Sequence, residues 1–167
     1  MELLLSKSLL KKRIRELAAR LAKKKNLHLV IILKGGRPFG MALRQEIQRI
    51  SAAKIQTFFI IARSYKGTSS SGKVRISGNL GKKLEGKGIL LVDDILDTGL
   101  TIREVSSYLK RRKKVKSIIT CVLLKKRRKS LLQPDFKGFT IPSRFVVGFG
   151  LDHNQKYRSL PDIRVMK

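Results

Sequence analysis

The stretch Leu90-Leu91-Val92-Asp93-Asp94-Ile95-Leu96-Asp97-Thr98-Gly99-Leu100-Thr101 decides how this chain is read. Its apolar start, Gly88 to Val92, predicts a buried strand. Its end predicts a helix from Thr101 to Arg112, because Ile102, Val105 and Leu109 recur at helical spacing and Thr101 with Glu104 has the pattern of a capping box. Between strand and helix, backbone N–H groups converge on a point suited to an anion. Gly99 allows close approach there, and the Thr98 and Thr101 hydroxyls add donors. Three carboxylates at such a point repel a phosphate unless they engage hydroxyl groups, a metal ion or a proton in transit. A phosphorylated sugar meets both demands, whereas an isolated Asp-Thr-Gly would be no more than a helix cap.

Working outward, the apolar residues Leu9, Leu10, Ile14, Leu17, Ala18 and Leu21 predict an amphipathic helix over Ser8 to Lys25 with a basic outer face. Leu27 to Leu33 is a branched apolar run stopped by Gly35, Gly36 and Pro38, which predicts a buried strand and a tight loop. A helix from Phe39 to Ile50 follows, with Met41, Ala42, Ile47 and Ile50 turned inward, and then a strand from Lys54 to Ala62. Ser64 to Lys73 is polar, with two glycines, and has the composition of an exposed binding loop or lid. Short strands are predicted at Val74 to Ile76, Val115 to Leu124 and Arg144 to Phe149. Apolar strands alternating with helices give an α/β fold with a central parallel sheet covered on both faces, with ligands at the carboxyl ends of its strands.

With 167 residues and 42% hydrophobic residues spread along its length, the chain is expected to form a single domain, 1–167. The apolar run at the N-terminus is too short for a secretory signal or a membrane span, so a soluble, cytoplasmic protein is expected. Cys121 sits in an apolar run and reads as core; a disulfide within the chain is impossible. Against 11 Asp and Glu stand 39 Lys and Arg, a formal charge of +28. That field suits nonspecific nucleic-acid binding, a phosphate-rich substrate, or simply solvated basic faces, and composition does not separate the three. No aromatic residues interleave with the basic clusters, as a base-stacking surface requires.

The twelve-residue run resembles the site where type I phosphoribosyltransferases bind phosphoribosyl pyrophosphate, and four further places resemble the hypoxanthine-guanine members of that family. The resemblance covers residues from about 9 to 165. It implies the type I fold with a small hood region. It implies that Asp93, Asp94, Thr98, Gly99, Leu100 and Thr101 hold the ribose and its phosphate. Leu33-Lys34-Gly35-Gly36 is similar to the family's pyrophosphate loop, with a cis peptide between Leu33 and Lys34; Ser64 and Tyr65 are similar to the opening of its lid. Leu124-Lys125, Pro134 to Phe139 and Phe145 to Asp152 resemble its purine pocket. There Lys125 would face the purine 6-oxygen, Phe145 would stack on the ring, the Val146 backbone would read the ring edge, and Leu151 and Asp152 would complete the wall. Asp97 would manage the proton on the purine, Arg158 would bind the leaving pyrophosphate, and Asp152, Asp93 and Asp94 are the implied holders of Mg2+.

The implied reaction is transfer of the 5-phosphoribosyl group to N9 of hypoxanthine or guanine, in purine salvage, by a homodimer or homotetramer. Two departures stand out. Asp93 takes the place of the usual glutamate, and Leu100 the place of a common lysine. Asp93-Asp94 is also the pattern of the related pyrimidine-operon regulators, which bind RNA on the same fold, so an RNA-binding regulator is the second reading. Those regulators usually carry a tyrosine where Asp97 stands and lack the Phe145 to Asp152 pocket.

Overall fold

The computed structural model describes residues 1–64 and 74–166. A first strand β1 (Glu2–Leu5) leads into helix α1 (Lys7–Leu21), which starts where the Ser6 hydroxyl accepts the Leu9 N–H at 3.3 Å. Strand β2 (Leu27–Leu33), helix α2 (Gly36–Ser51) and strand β3 (Thr57–Ser64) follow, then β4 (Val74–Ser77), β5 (Gly88–Leu96), α3 (Leu100–Lys113) and β6 (Ser117–Lys126). The chain closes with β7 (Phe136–Ile141), β8 (Val146–Val147) and β9 (Ile163–Val165).

The main sheet has six strands in the order β4-β3-β2-β5-β6-β7, all parallel except β4, which runs antiparallel to β3. It is therefore mixed, and the fully parallel expectation holds for five of its strands. A second sheet, β1-β9-β8, is antiparallel and joins the two chain ends into a small hood. Alternation along the strands splits the core in two. Leu29, Ile31, Leu90, Val92 and Cys121 pack with α1 and α2, while Val30, Ile32, Ile89, Leu91 and Val122 pack with Ile102, Val105 and Leu109 of α3. Burial pushes the Cys121 thiol up to about 12, as befits core.

Several local expectations need correction. Helix α2 begins at Gly36 rather than Phe39, because Pro38 lies in the first turn, where a helix needs no N–H donor. Its buried face is Phe39, Gly40, Leu43 and Ile47; Met41 and Ala42 are half-buried and Ile50 is exposed. Leu9 is likewise exposed on α1. Strand β5 continues through Asp93 and Asp94 to Leu96, so the acidic pair is part of the sheet rather than of a loop. The capping box does not form, since α3 starts at Leu100 with Gly99 as its cap, and Glu104 instead takes the Arg103 guanidinium at 3.1 Å. The strand expected over Arg144 to Phe149 shrinks to Val146–Val147. Of the lid residues, Ser64 ends β3 and Tyr65 lies outside the described residues.

The topology positions the site. From β2 the chain steps to β3 on one side, while β5 lies on the other, so the crevice at the carboxyl ends of β2 and β5 is a switch point of the sheet. Close packing of α2 on β2 sets the width of that crevice. A methyl group at Gly40 would lie 2.6 Å from Ile31 Cδ1, and Ile31 is fully buried. Gly40→Ala is expected to destabilise the protein by about 1–3 kcal/mol through overpacking, despite the better helix propensity of alanine. Adding Ile31→Val should restore part of the loss. Denaturant midpoints of the two variants check this.

Candidate active site

Two strand ends meet at the crevice. The Leu33–Lys34 peptide is cis, and Gly35 follows it at the cap of α2. An added Cβ at Gly35 would run into the Asp94 carboxylate, and one at Gly36 would lie 3.3 Å from Asp93 Cα. Only a backbone without side chains at 35 and 36 lets the loop after β2 lie against the acidic pair. A second loop closes over the first, since a Cβ at Gly150 would meet the Gly35 carbonyl oxygen and, at 3.0 Å, Pro38. Gly150, with φ +101°, also adopts a backbone that side-chain-bearing residues avoid.

Asp93 and Asp94 are both buried. The Asp94 N–H donates to Asp93 Oδ1 at 2.9 Å and the Ile95 N–H to Asp94 Oδ1 at 2.8 Å. These bonds fix the carboxylates without neutralising them. Burial holds the Asp93 carboxyl well above its ordinary range, and the neighbouring Asp94 pushes it further. Asp94 is raised as well, again by burial, with its hydrogen bonds and the nearby Arg158 charge pulling the other way.

At the next turn, Asp97 is half-exposed and bound by two cations, Lys126 Nζ at 2.9 Å and Arg128 at 3.0 Å. Gly99, with φ +85°, starts α3 with no side-chain cap, and the Leu100 N–H reaches the Thr98 hydroxyl at 3.3 Å. The Thr98 carbonyl accepts the Leu131 N–H at 2.8 Å, which anchors the loop from behind. The first-turn N–H groups of α3 lack partners within the helix and lie at its positive end.

A cavity of ≈ 290 Å³ opens beside these groups, lined by Lys34, Gly35, Asp94, Ile95, Lys126, Phe145, Val146, Leu151, Asp152 and Arg158. Phe145 is 50% exposed, and its ring stands nearly perpendicular to that of His153 with 5.3 Å between centroids. Arg158 joins the far wall together, bonding Asp152 Oδ1 at 2.7 Å and the Gly150 carbonyl at 3.0 Å. Asp152 Oδ2 also accepts the Gln155 N–H at 2.8 Å.

Lys125 is not in this cavity. It is buried, with Nζ 3.4 Å from the Lys126 carbonyl oxygen, and Lys126 lines the cavity in its place. Neighbours on a strand point to opposite faces, so a register one residue off exchanges one lysine for the other. Lys126 and Arg128 are the site residues that the sequence reading missed. Strand alternation carried through to Lys126 would have found the first; Arg128 reaches Asp97 only through the turn after β6.

Residues 2–154 match the model of the phosphoribosyl transferase domain. The chain belongs to the phosphoribosyltransferase family. It is 38% identical to a hypoxanthine-guanine phosphoribosyltransferase of Aquifex aeolicus, over all of this chain and 95% of the relative. To the hypoxanthine-guanine-xanthine phosphoribosyltransferase of Tritrichomonas foetus it is 37% identical, over 95% of this chain and 87% of the relative. A crystal structure of a Staphylococcus aureus hypoxanthine phosphoribosyltransferase superposes with a TM-score of 0.89 at 38% identity, covering 100% of this chain and 91% of that one. The Trypanosoma cruzi enzyme in complex with the product IMP gives a TM-score of 0.87 at 30% identity, covering 100% and 94%. The phosphoribosyltransferase fold is thus the α/β architecture described above, hood included.

The raised Asp93 has a consequence for stability in this phosphoribosyltransferase. A carboxyl with a raised folded pKa binds its proton more tightly in the native state, so stability falls as pH rises from the ordinary aspartate range through the raised value. Asp93→Asn is expected to raise the denaturation midpoint of the free protein at neutral pH. The gain should vanish below about pH 3, where the unfolded aspartate is itself protonated. Denaturant melts at the two pH values check the sign.

Proposed function

We propose that the chain is a purine-salvage enzyme. It moves the 5-phosphoribosyl group from phosphoribosyl pyrophosphate to N9 of a 6-oxopurine, hypoxanthine or guanine, releasing IMP or GMP and pyrophosphate. The observation that carries this reading is one cavity lined by the half-exposed Phe145 ring and by Lys126, whose ammonium pairs with Asp97 at 2.9 Å. The names of the relatives support the same substrate class.

In this reading the purine lies on Phe145 with its edge toward the Val146 backbone and Leu151, and Lys126 donates to the 6-oxygen. Leaving that donor unpaired is costly, so adenine, with an amino group there, is rejected. The 5′-phosphate sits on the N–H groups of Thr98 to Thr101 at the start of α3. Asp93 and Asp94 accept from the ribose hydroxyls, and the backbone of Lys34 and Gly35 with Arg158 holds the pyrophosphate. Asp97 takes the proton from the purine while the ring nitrogen attacks C1. Positive charge grows on the sugar as the C1–oxygen bond breaks, and the buried carboxylates stabilise it.

No cluster of three or more metal-ligating side chains occurs among the described residues. The donors present are carboxylate oxygens alone, few in number, which fits Mg2+ carried in on the substrate's own phosphates rather than a caged ion. Asp94 and Asp152, which line the cavity, would hold it together with the substrate's phosphates, and it would neutralise the departing pyrophosphate; Asp93, also expected as a holder, is buried and does not line the cavity. Single-domain organisation over 1–167, a homodimer or homotetramer and a cytoplasmic location belong to the same reading. Among the described residues no helix is long and apolar enough to cross a membrane. The regulator reading finds no support, since the relatives named above carry transferase names.

The test is release of pyrophosphate with hypoxanthine, guanine, xanthine, adenine and uracil in turn. Hypoxanthine should be converted and adenine and uracil not; turnover of uracil would overturn the proposal. Asp97→Asn is expected to lower turnover by about 10²- to 10⁴-fold with phosphoribosyl pyrophosphate affinity retained. Lys126→Met should raise KM for hypoxanthine by about 10- to 100-fold, the worth of one hydrogen bond from a charged donor, and Lys125→Met should leave it within about twofold.

A further inference from the structure

The end of the sheet opposite the cavity carries a second concavity. It is a groove of ≈ 700 Å³ whose wall includes Lys24, Lys25, Lys54, Lys87 and Lys116. These lysines enter from four different connections: Lys24 and Lys25 between α1 and β2, Lys54 between α2 and β3, Lys87 before β5, and Lys116 between α3 and β6. Their strands are neighbours in the order β3-β2-β5-β6, so the lysines stand in a row about 14 Å long, set by the spacing of strands in a sheet. The backbone beneath is tied, with the Lys116 N–H on the Lys87 carbonyl at 2.9 Å.

Nothing acidic lines the groove. All five lysines are exposed, and none is ion-paired among the described residues; the nearby Glu85 is engaged by Lys114 at 3.7 Å. Basic residues at helix C-termini ordinarily complement the helix dipole, and three helices end on this side. Their combined partial charge is about −1.5, less than the five lysines alone supply, before the Lys110 to Lys114 run at the end of α3 is added. A surplus of positive charge therefore faces solvent in a row, on a protein of net charge +28.

We propose that this groove docks the phosphate backbone of a nucleic-acid duplex, independently of the catalytic cavity. Charge complementarity names a polyanion, and the field of the whole protein favours a large one over a small anion. The lining offers no platform for unpaired bases: its one ring, His28, is stacked on Phe58 at 6.4 Å. Single strands are held largely by base stacking, whereas a duplex turns its bases inward and presents the densest row of phosphates. Binding should accordingly be indifferent to sequence and steeply dependent on salt.

The test uses fluorescence anisotropy of the full chain with a labelled short RNA duplex and with a single strand of the same length. Two variants of equal charge change are compared. One neutralises the groove, Lys25→Gln, Lys54→Gln, Lys87→Gln and Lys116→Gln; the other neutralises α1 and the sheet edge, Lys7→Gln, Lys11→Gln, Lys12→Gln and Lys137→Gln. Expected is duplex affinity above that for the single strand, a loss of about tenfold or more in the groove variant, and a salt slope shallower by about 0.9 for each lysine removed. The other variant should lose far less, and hypoxanthine transfer should be unchanged in the groove variant. Equal losses in the two variants would reduce the effect to diffuse charge and overturn the groove as the site; tighter binding of the single strand would overturn the duplex as its occupant.

Discussion

Two adjacent carboxylates inside a sheet are the constraint on which the rest of the site depends. Asp93 and Asp94 lie within β5, buried, with hydrogen bonds from the backbone of the next residue and a raised affinity for protons. Such a pair is unfavourable in a free protein, and a core has no reason to keep it. It persists because the strand on each side and the side-chain-free backbone at Gly35 and Gly36 hold it in place. In the proposed reaction, what destabilises the empty site would prepare it for hydroxyl groups and for positive charge on a sugar.

The other parts arrange themselves around that pair. The loop after β2 must be glycine so that it can lie on Asp94, and the loop at Gly150 must be glycine so that it can lie on Gly35. Stacked backbones bring Arg158 and Asp152, from the far end of the sequence, to the mouth of the same cavity. On the other side, the end of β6 delivers Lys126 to Asp97, and Arg128 adds a second cation. Asp97 is thereby held by two cations from the end of β6 and the turn after it. Five exposed lysines lie at the opposite end of the sheet, where the parallel strands begin.

Much of this was legible in the chain. The strand Leu27–Leu33 is observed with the expected bounds, and Ile102, Val105 and Leu109 form the buried face of α3, because apolar periodicity reports burial directly. The hood was not legible as strands: β1 and β9 have four and three residues, too few for a period, and they pair only because the chain ends meet. Strand β7 escaped for a related reason, its pattern being half-buried on the sheet edge. The carboxylates of Asp93 and Asp94 looked like a loop because charged residues seldom continue a buried strand. That Lys126 rather than Lys125 lines the cavity was not legible, because two identical side chains in sequence carry no sign of which face each will take.

The sequence by itself determined the α/β class, the strand-to-helix turn around Thr98 and Gly99, the core assignment of Cys121 and the family, since these follow from local pattern and motif. The tertiary structure alone decided which lysine enters the cavity, that Asp97 is held by Lys126 and Arg128, that Gly35 must yield space to Asp94, and that five lysines from four connections form one row. Each of these is a meeting of residues far apart in the chain. Their geometry depends on strand order and register, which no short stretch of sequence contains.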